Sequence, residues 1–416
     1  MMLMDGLFSD DALAEAIGPE AQLAAMRTAL AALAIAQARL GIIPKEAAKI
    51  IQDAAGRPAP APEDLRDQIA QAGIPAQAVI KHLKAEAGAQ GDWAGFGATS
   101  QDIQDTGLSL QLRGALSLIE TRLAALGETL DGARRQHGAQ IMPARTRSQI
   151  AAPTTLGARI AVWRAPLARH LERLAELRPR VLCVSLYGAA GTGAALAPRM
   201  TELRAALATD LALCAPETPW HAARDGIAEL GGWLSLVTGS LGKMGADLVL
   251  MARDGEVMAG RGGGSSTMPQ KSNPVAAEAL VSLAHLNAGA LGTLHQALVH
   301  ADERDGAALG IEWQILPEMI LRTGAALRLA EDLARSITPH PARIAAVIAA
   351  DGGRMMAEAA VFHLCRSMPR GEAEAVVARA LAAMGETETL AGALEESAPG
   401  HDWARILAPD RNTGQG

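Results

Sequence analysis

The sequence predicts an all-α protein with three helical domains and a long central helical bundle, and three observations support this. Of the 416 residues, 49% are hydrophobic but only 2% are aromatic, so Ala, Leu, Ile, Val and Met must build most of the core. Strands are usually richer in aromatic and β-branched residues, so this composition favours helices. The second observation is sustained heptad spacing in the middle of the chain. The third is that glycine and proline breaks shorten the pattern towards both ends.

The central segment repeats apolar residues at steps of three and four. The first run is Leu108, Leu112, Leu116, Ile119, Leu123, Leu126 and Leu130. The second run is Ile227, Leu230, Leu234, Val237, Leu241, Met244, Leu248 and Met251. The third run is Leu280, Ala284, Asn287, Leu291, Leu294 and Leu298. Ordinary amphipathic helices on a globular core are the alternative, but they would drift from a 3.5-residue period, so the runs indicate a bundle.

The breaks divide the chain into three predicted domains. Residues 1–98 form an N-terminal helical domain of short, punctuated elements. Residues 99–336 form the central long-helix bundle. Its first residues, "TSQD" at 99–102, have the form of a capping box. Residues 337–416 form a small C-terminal helical domain with a disordered tail, "APDRNTGQG".

Charge and cysteine content exclude several classes of protein. The net charge is −7, which predicts neither a nucleic-acid binder nor a protein of acidic membrane surfaces. The apolar run near the N-terminus is broken by charged residues, so a membrane span is not expected. The three cysteines are far apart and form no CxxC, which excludes a disulfide framework and a zinc signature and fits a reducing cytoplasm. We predict a cytoplasmic protein without a metal site.

The stretch "GRGGGSSTMPQKSNPV" at 260–275 has two interpretations. A Walker-type phosphate loop requires glycine directly before Lys271-Ser272, but Gln270 stands there and no βαβ pattern surrounds it. The alternative is a catalytic loop over 260–274. Asn273 would cap the following helix, whose N-terminal N–H groups attract carboxylates. The glycines would give the freedom of a lid. From the residues alone, a third interpretation is possible: the segment is a surface loop without chemical function.

Three stretches resemble the fumarase/aspartase superfamily. "GGGSSTMPQKSNP" at 262–274 is similar to its signature, GSSxMPxKxNP. "GATSQDIQDTGLSLQLR" at 97–113 and "MPARTRSQIAAPTTLGARIA" at 142–161 follow the family's other two regions in order. The resemblance covers nearly the whole chain. It implies a homotetramer with active sites shared between subunits, a small-molecule polycarboxylate substrate, and neither a metal nor an organic cofactor.

The resemblance also implies roles for individual residues. Ser266 would be the general base that removes a proton alpha to a carboxylate, with Ser265 as the fallback. Lys271 and Asn273 would hold a substrate carboxylate and its developing charge, and Met268 would shape the loop. The residues that would bind carboxylates through hydroxyl, amide and N–H donors are Thr99, Ser100, Thr146 and Gln149. A carbanion held as an aci-carboxylate needs clustered donors of this kind.

One departure from the family pattern bears on specificity. Adenylosuccinate and argininosuccinate lyases carry histidine directly after the "RT" of the second region, where this chain has Arg147. The chain therefore looks most like the carboxymuconate cycloisomerase branch, whose substrate is more anionic. The candidate cations for its carboxylates are Arg145, Arg147, Arg224, Arg304 and Lys271. Each arginine could instead be a solvated surface group, and His221 could be an acid, a binding group or a helix cap.

Three competing hypotheses remain at this level. Another lyase of the superfamily is the nearest, and the absent histidine argues against it. A non-enzymatic helical scaffold would not need a glycine loop that carries serines and Lys271. A nucleoside-triphosphate enzyme conflicts with the failed Walker spacing.

Overall fold

The computed structural model describes residues 3–260, 262–264, 268, 271–385 and 387–414. The chain forms two compact units. Unit 1 comprises Met1–Ala125, Leu167–Gly242 and Ala279–Leu329, and unit 2 comprises Leu126–Pro166, Lys243–Glu278 and Ala330–Gly416. The division into three domains at residues 98 and 336 stays a prediction.

Among the described residues, six helices of 4 to 21 residues build the N-terminal part of unit 1. They are α1 (Asp5–Phe8), α2 (Asp11–Ile17), α3 (Pro19–Arg39), α4 (Lys45–Ala55), α5 (Pro62–Ala72) and α6 (Pro75–Glu86). Proline occupies the start of α3, α5 and α6, where its missing N–H has no helical acceptor to lose. Gly73 ends α5 with φ 70°, the left-handed conformation that glycine adopts without steric cost. Their apolar faces enclose a core around Leu30, Leu33 and Leu83.

Five helices of 22 to 38 residues and one of 12 residues follow in the described part of the chain. They are α7 (Ser100–His137), α8 (Leu156–Val181), α9 (Met200–Leu211), α10 (Asp225–Asp254), α11 (Val275–Gln296) and α12 (Gly306–Arg335). All except α9 contribute residues to both units. The second heptad run, on α10, is entirely buried. The first is buried from Leu112 to Leu130, with Leu108 half-buried. The third departs from prediction at Leu298, which lies beyond the end of α11 and is exposed.

Glycines and polar side chains connect the long helices within unit 1. A β-carbon on Gly242 of α10 would lie 2.6 Å from the β-carbon of Ala284 on α11, so only glycine permits this approach. Asn287 of α11 is fully buried and donates to the Met319 carbonyl of α12 at 3.2 Å. Trp233 of α10 donates to the His170 carbonyl of α8 at 3.0 Å. These contacts, with the buried heptads, confirm the predicted bundle of long helices.

Unit 2 contains a β-hairpin that the helical prediction omitted. Strands β1 (Ile141–Thr146) and β2 (Gln149–Thr155) pair antiparallel, with a bulge after Ala144. The two-residue turn between them has positive φ at Arg147 (49°) and Ser148 (68°), as a type I′ turn requires. Since that turn usually contains Asn or Gly, this sequence carried no turn signal.

Four further strands of two residues pair in unit 2. Strand β3 (Val257–Met258) pairs with β6 (Thr338–Pro339), and β4 (Gly263–Gly264) pairs with β5 (Ser272–Asn273). The C-terminal helices are α13 (Pro341–Ala350), α14 (Ala357–Leu364), α15 (Arg370–Ala383), α16 (Leu390–Ser397) and α17 (Trp403–Ile406). They enclose a separate core around Trp403. The chain after α17 differs from the predicted disordered tail, because Asn412 Nδ2 donates to the carbonyls of Ile406 and Ala408, each at 2.9 Å.

Three helical segments among the described residues are long and apolar enough to cross a membrane by length and composition. They are Asp11–Arg39, Asp225–Asp254 and Val275–Gln296. The sequence-based expectation of no membrane span rests only on the first of these segments. In Asp225–Asp254 the apolar heptad residues are buried inside the protein.

Candidate active site

Asp102 organises the polar site of unit 1. Its carboxylate is fully buried and accepts from the backbone N–H groups of Thr99, Tyr187 and Gly188, each at 3.0 Å. It also accepts from the Ser185 hydroxyl at 3.2 Å and from His221 Nε2 at 2.8 Å. The bond to Thr99 is one of the two bonds of the predicted capping box at the start of α7. One carboxylate thereby fixes three separate chain segments, at residues 99, 185–188 and 221.

Thr99 and His221 are also connected through Gln101 and Arg304. Gln101 Nε2 donates to the His221 carbonyl at 2.8 Å, and Arg304 Nε donates to Gln101 Oε1 at 2.7 Å. Arg304 Nη2 donates to the Thr99 hydroxyl and to the Ala189 carbonyl, each at 3.1 Å. Arg304 is exposed, and Thr99 is half-buried beside it. Three predicted residues therefore lie together, with a cation and a hydroxyl that can meet an anion. Ser100 adjoins them as the first residue of α7.

Arg224 has a different environment. It is buried, and it donates through Nε to Glu312 at 2.8 Å and through Nη1 to Asp105 at 3.0 Å. Its guanidinium lies 4.7 Å from the centre of the Trp220 ring. Burial opposes its charge, but Asp105 and Glu312 outweigh this effect and raise the pKa of Arg224 above its ordinary value. Burial raises the pKa of Asp105. The contacts of Arg224 are those of an internal ion pair, and its predicted contact with substrate is not tested by them.

Arg145 makes a comparable pair in unit 2. It lies on β1 and donates through Nη1 to Glu256 at 3.0 Å, with its other amino group within 3.3 Å of Asp254. Glu256 is fully buried, and its hydrogen bonds raise the pKa of Arg145. Leaving either partner without the other would bury an uncompensated charge. Arg145 therefore stabilises the hairpin against the segment after α10, and its role as a substrate ligand stays a prediction.

The other predicted residues of the hairpin lie at its tip. Thr146 and Gln149 are the paired residues that flank the turn, and Arg147 is its first residue. All three are exposed. A non-glycine residue with positive φ is uncommon and is enriched at functional sites. The hairpin thus presents one guanidinium, one hydroxyl and one amide at a fixed turn.

The signature loop begins and ends with the β4–β5 pair. Lys271 is exposed, with its N–H donating to the Met268 carbonyl at 3.0 Å, and Asn273 on β5 is half-buried. Helix α11 begins two residues after Asn273, close to the predicted start. A β-carbon on Gly262 would overlap the Ser272 hydroxyl, and one on Gly263 would lie 2.7 Å from Val275 Cγ2. These two glycines are therefore required for close approach of backbone to neighbouring side chains, a reason distinct from the predicted lid freedom.

Ser265 and Ser266 lie outside the described residues. Within the described part of the chain, no group of three or more His, Cys, Asp or Glu side chains could hold a metal ion.

Several buried residues of these sites had no assigned role in the sequence analysis. Asp102 was interpreted only as a helix cap, and its partners at 185–188 lie more than 80 positions away in the chain. Asp105, Glu256 and Glu312 were not singled out at all. Asp105 lies one three-residue step before Leu108, and Glu312 lies at steps of three and four from Leu309 and Leu316 on α12. A charged residue at such a position of an apolar pattern is the sequence signal that could have indicated them.

Comparisons with known proteins relate the chain to lyases. A family model described as "Lyase" matches residues 8–286. A 3-carboxy-cis,cis-muconate cycloisomerase of Pseudomonas aeruginosa is 36% identical over 430 aligned residues, which cover 99% of this chain and 94% of that protein. An N-acetyl-S-(2-succino)cysteine lyase of Dickeya dadantii is 31% identical over 83% of this chain and 77% of that one. The crystal structure of a 3-carboxy-cis,cis-muconate lactonizing enzyme from Pseudomonas putida superposes with a TM-score of 0.92 at 35% identity, covering 99% of this chain and 96% of the other.

Proposed function

Because the chain belongs to the lyase family of the fumarase/aspartase superfamily, we propose that it is a 3-carboxy-cis,cis-muconate cycloisomerase. It would interconvert 3-carboxy-cis,cis-muconate and 4-carboxymuconolactone in protocatechuate breakdown by the β-ketoadipate route. The observation that carries the proposal is the 36% identity to such an enzyme over 99% of this chain. Other lyases of the superfamily are the alternative. Arg147, where adenylosuccinate-type lyases have histidine, favours the cycloisomerase.

The reaction is an intramolecular addition. A carboxylate oxygen of the substrate forms a bond to one carbon of its own double bond, and the neighbouring carbon becomes a carbanion alpha to another carboxylate. Donors around that carboxylate stabilise the charge as an aci-carboxylate, and protonation completes the lactone. In the reverse direction, Ser266 removes this proton as general base. We propose Lys271 and Asn273 as the donors to the aci-carboxylate.

The contacts of Arg304 support a role in binding a substrate carboxylate. Its Nε and Nη2 atoms are held by Gln101, Thr99 and Ala189, while the side chain stays exposed. A guanidinium oriented in this way loses little side-chain entropy when it binds an anion. The Thr99 hydroxyl accepts a hydrogen bond from the same arginine. We propose that Arg304, Thr99 and Ser100 bind one carboxylate, and that Thr146, Arg147 and Gln149 bind another.

We also propose a cytoplasmic homotetramer with active sites shared between subunits. The support is apolar surface on the long helices of the single chain, where Leu236 and Leu250 of α10 and Leu286 of α11 are exposed. Large apolar side chains exposed on long helices are typical of subunit contacts. Light scattering coupled to size-exclusion chromatography would test the assembly.

An ultraviolet assay tests the reaction. Purified protein is mixed with 3-carboxy-cis,cis-muconate, and loss of the conjugated diene is followed. Adenylosuccinate, argininosuccinate and fumarate are assayed in parallel as alternative substrates. We expect turnover of the muconate alone, with 4-carboxymuconolactone identified by mass spectrometry. Turnover of one of the other substrates, without loss of the diene, would overturn the substrate assignment and leave the family assignment in place.

A further inference from the structure

Two cysteines that are distant in sequence are neighbours in unit 1. Cys183 and Cys214 face each other in a parallel β-bridge. The Cys214 N–H donates to the Leu182 carbonyl at 2.8 Å, and the Val184 N–H donates to the Cys214 carbonyl at 2.9 Å. Residues paired in this way direct their side chains to the same side of the backbone pair, so the two thiols are adjacent. The cysteines are far apart along the sequence, and the fold brings this pair together.

The surrounding segments hold the two cysteines in register. Trp220 Nε1 donates to the Val184 carbonyl at 3.0 Å, and the Tyr187 hydroxyl donates to the Pro216 carbonyl at 2.7 Å. Arg204 adds a bond to the Pro216 carbonyl at 3.2 Å. The first two bonds join residues 184–187, which follow Cys183, to residues 216–220, which follow Cys214. A disulfide needs Cα atoms about 4.4–6.8 Å apart, a spacing that neighbouring bridge residues meet without backbone movement.

The two thiols differ in access. Cys214 is exposed, while Cys183 is 4% exposed. Both line a cavity of about 460 Å³ that also contacts Pro179, Pro216 and Trp220. Burial, with a contribution from Cys214, raises the pKa of Cys183 to about 11. Cys183 therefore stays a protonated thiol at neutral pH, and Cys214 is the one that a small reagent reaches first.

We propose that Cys183 and Cys214 form a redox-active pair that is oxidised to an intramolecular disulfide by low-molecular-weight disulfides. The Cys214 thiolate attacks one sulfur of the oxidant, which releases one thiol and leaves a mixed disulfide on Cys214. Cys183 then loses its proton and attacks Cys214 Sγ, which releases the second thiol. In total two protein thiols and one disulfide become one protein disulfide and two small thiols, so electrons and atoms balance. This modification is independent of the proposed cycloisomerase reaction.

The disulfide would join the two segments that hold the Asp102 site. Cys183 is two residues before Ser185 and Cys214 is seven residues before His221, and both of those side chains donate to Asp102. Oxidation closes a loop from residue 183 to residue 214 and removes conformations from the unfolded chain. The oxidised protein should therefore unfold at a temperature several degrees higher than the reduced protein.

Thiol counting tests the pair. The reduced protein is incubated with oxidised glutathione, freed of the reagent, unfolded without reductant and titrated with a thiol reagent. We expect the count to fall from three to one, the remaining thiol being Cys365, and dithiothreitol to restore three. The intact mass should fall by two hydrogen atoms, and a non-reduced digest should contain one peptide pair that joins Cys183 to Cys214.

Matched variants separate this pair from other oxidation. Cys365→Ser should still form the disulfide and retain no free thiol. Cys214→Ser should form no internal disulfide and show no rise in unfolding temperature on oxidation. The proposal is overturned if the wild type keeps three thiols, if it gains only a glutathione adduct, or if the linked peptides include Cys365.

Discussion

His221 Nε2 lies 2.8 Å from Asp102 Oδ1, and both side chains are almost completely excluded from solvent. The same carboxylate accepts three backbone N–H groups and one hydroxyl, so each of its oxygens is occupied. Asp102 is thus a positioning residue: it fixes His221 and the backbone of Thr99 without being exposed to a ligand itself.

Replacing Asp102 by Asn should therefore destabilise the protein. The amide has one acceptor oxygen, and its NH₂ group would face donors that now point at a carboxylate. We expect the free energy of unfolding to fall by about 2–4 kcal/mol, measured by urea denaturation. Asp92→Asn, at an exposed position, is the matched control and should change it by less than about 0.5 kcal/mol. Equal stability of the two variants would contradict the role given to Asp102.

Gly262 and Gly264 should respond differently to alanine, although they are two residues apart. A β-carbon at Gly262 overlaps the Ser272 hydroxyl and lies 2.8 Å from Ser272 Cβ, whereas one at Gly264 meets no atom of a described residue within 4 Å. Gly262→Ala should displace β4 from β5 and lower kcat about 100-fold, since small misplacements of reacting groups have effects of that size. Steady-state kinetics of both variants measure the difference, and Gly264→Ala should lose much less.

A second substitution tests the cause of that loss. Ser272→Gly in the Gly262→Ala background removes the side chain that the new methyl group meets. Recovery of most of the lost activity is expected. If the double variant is no better than Gly262→Ala alone, the close approach of these two residues does not explain the glycine.

The two serines of the signature can be separated by kinetics. Ser266→Ala should lower kcat by about 10²–10⁴-fold, the usual contribution of a general base, with little change in KM. Ser265→Ala, one residue earlier, is the matched control and should have a much smaller effect. The reverse order would assign the base to Ser265, and full activity in both variants would show that neither serine is the base.

The helical bundle could be predicted because its information is local. Steps of three and four residues along α10 report which face is buried, and every residue of that run is buried in the structure. The hairpin at 141–155 could not be predicted in the same way. Its turn places Arg147 and Ser148 at positive φ. These residue types rarely adopt that conformation, so they gave no turn signal in the sequence.

The same difference between local and long-range information decides which residues of the candidate site could be predicted. The family resemblance indicated Thr99 and Arg304, and the structure brings these two side chains together at 3.1 Å. The buried acids that fix their surroundings were missed, because their partners come from distant segments. Glu256 is recognisable only once Arg145 lies against it, and Asp102 only once residues 185–188 cross the start of α7.

His170 predicts a pH dependence of stability. Its side chain is 3% exposed, and burial, assisted by Arg173 and Arg169, lowers its pKa to about 4 from the ordinary value of 6.5. The unfolded chain therefore binds this proton between pH 6.5 and 4, while the folded protein does not. The neutral ring, whose Nε2 is hydrogen-bonded to the Ser240 hydroxyl at 2.9 Å, contributes stability that is complete above pH 6.5 and is lost as the pH falls towards 4.

Replacing His170 by Phe should remove this component. Between pH 7 and 4.5, the wild type should lose on the order of 2 kcal/mol more unfolding free energy than His170→Phe, measured by urea denaturation at both pH values. His137→Ala, at a half-buried histidine in the last turn of α7, should keep the wild-type pH dependence. Carboxylates that titrate in this range affect all three proteins alike, so the difference between variants isolates His170. Parallel losses in the wild type and His170→Phe would contradict the lowered pKa.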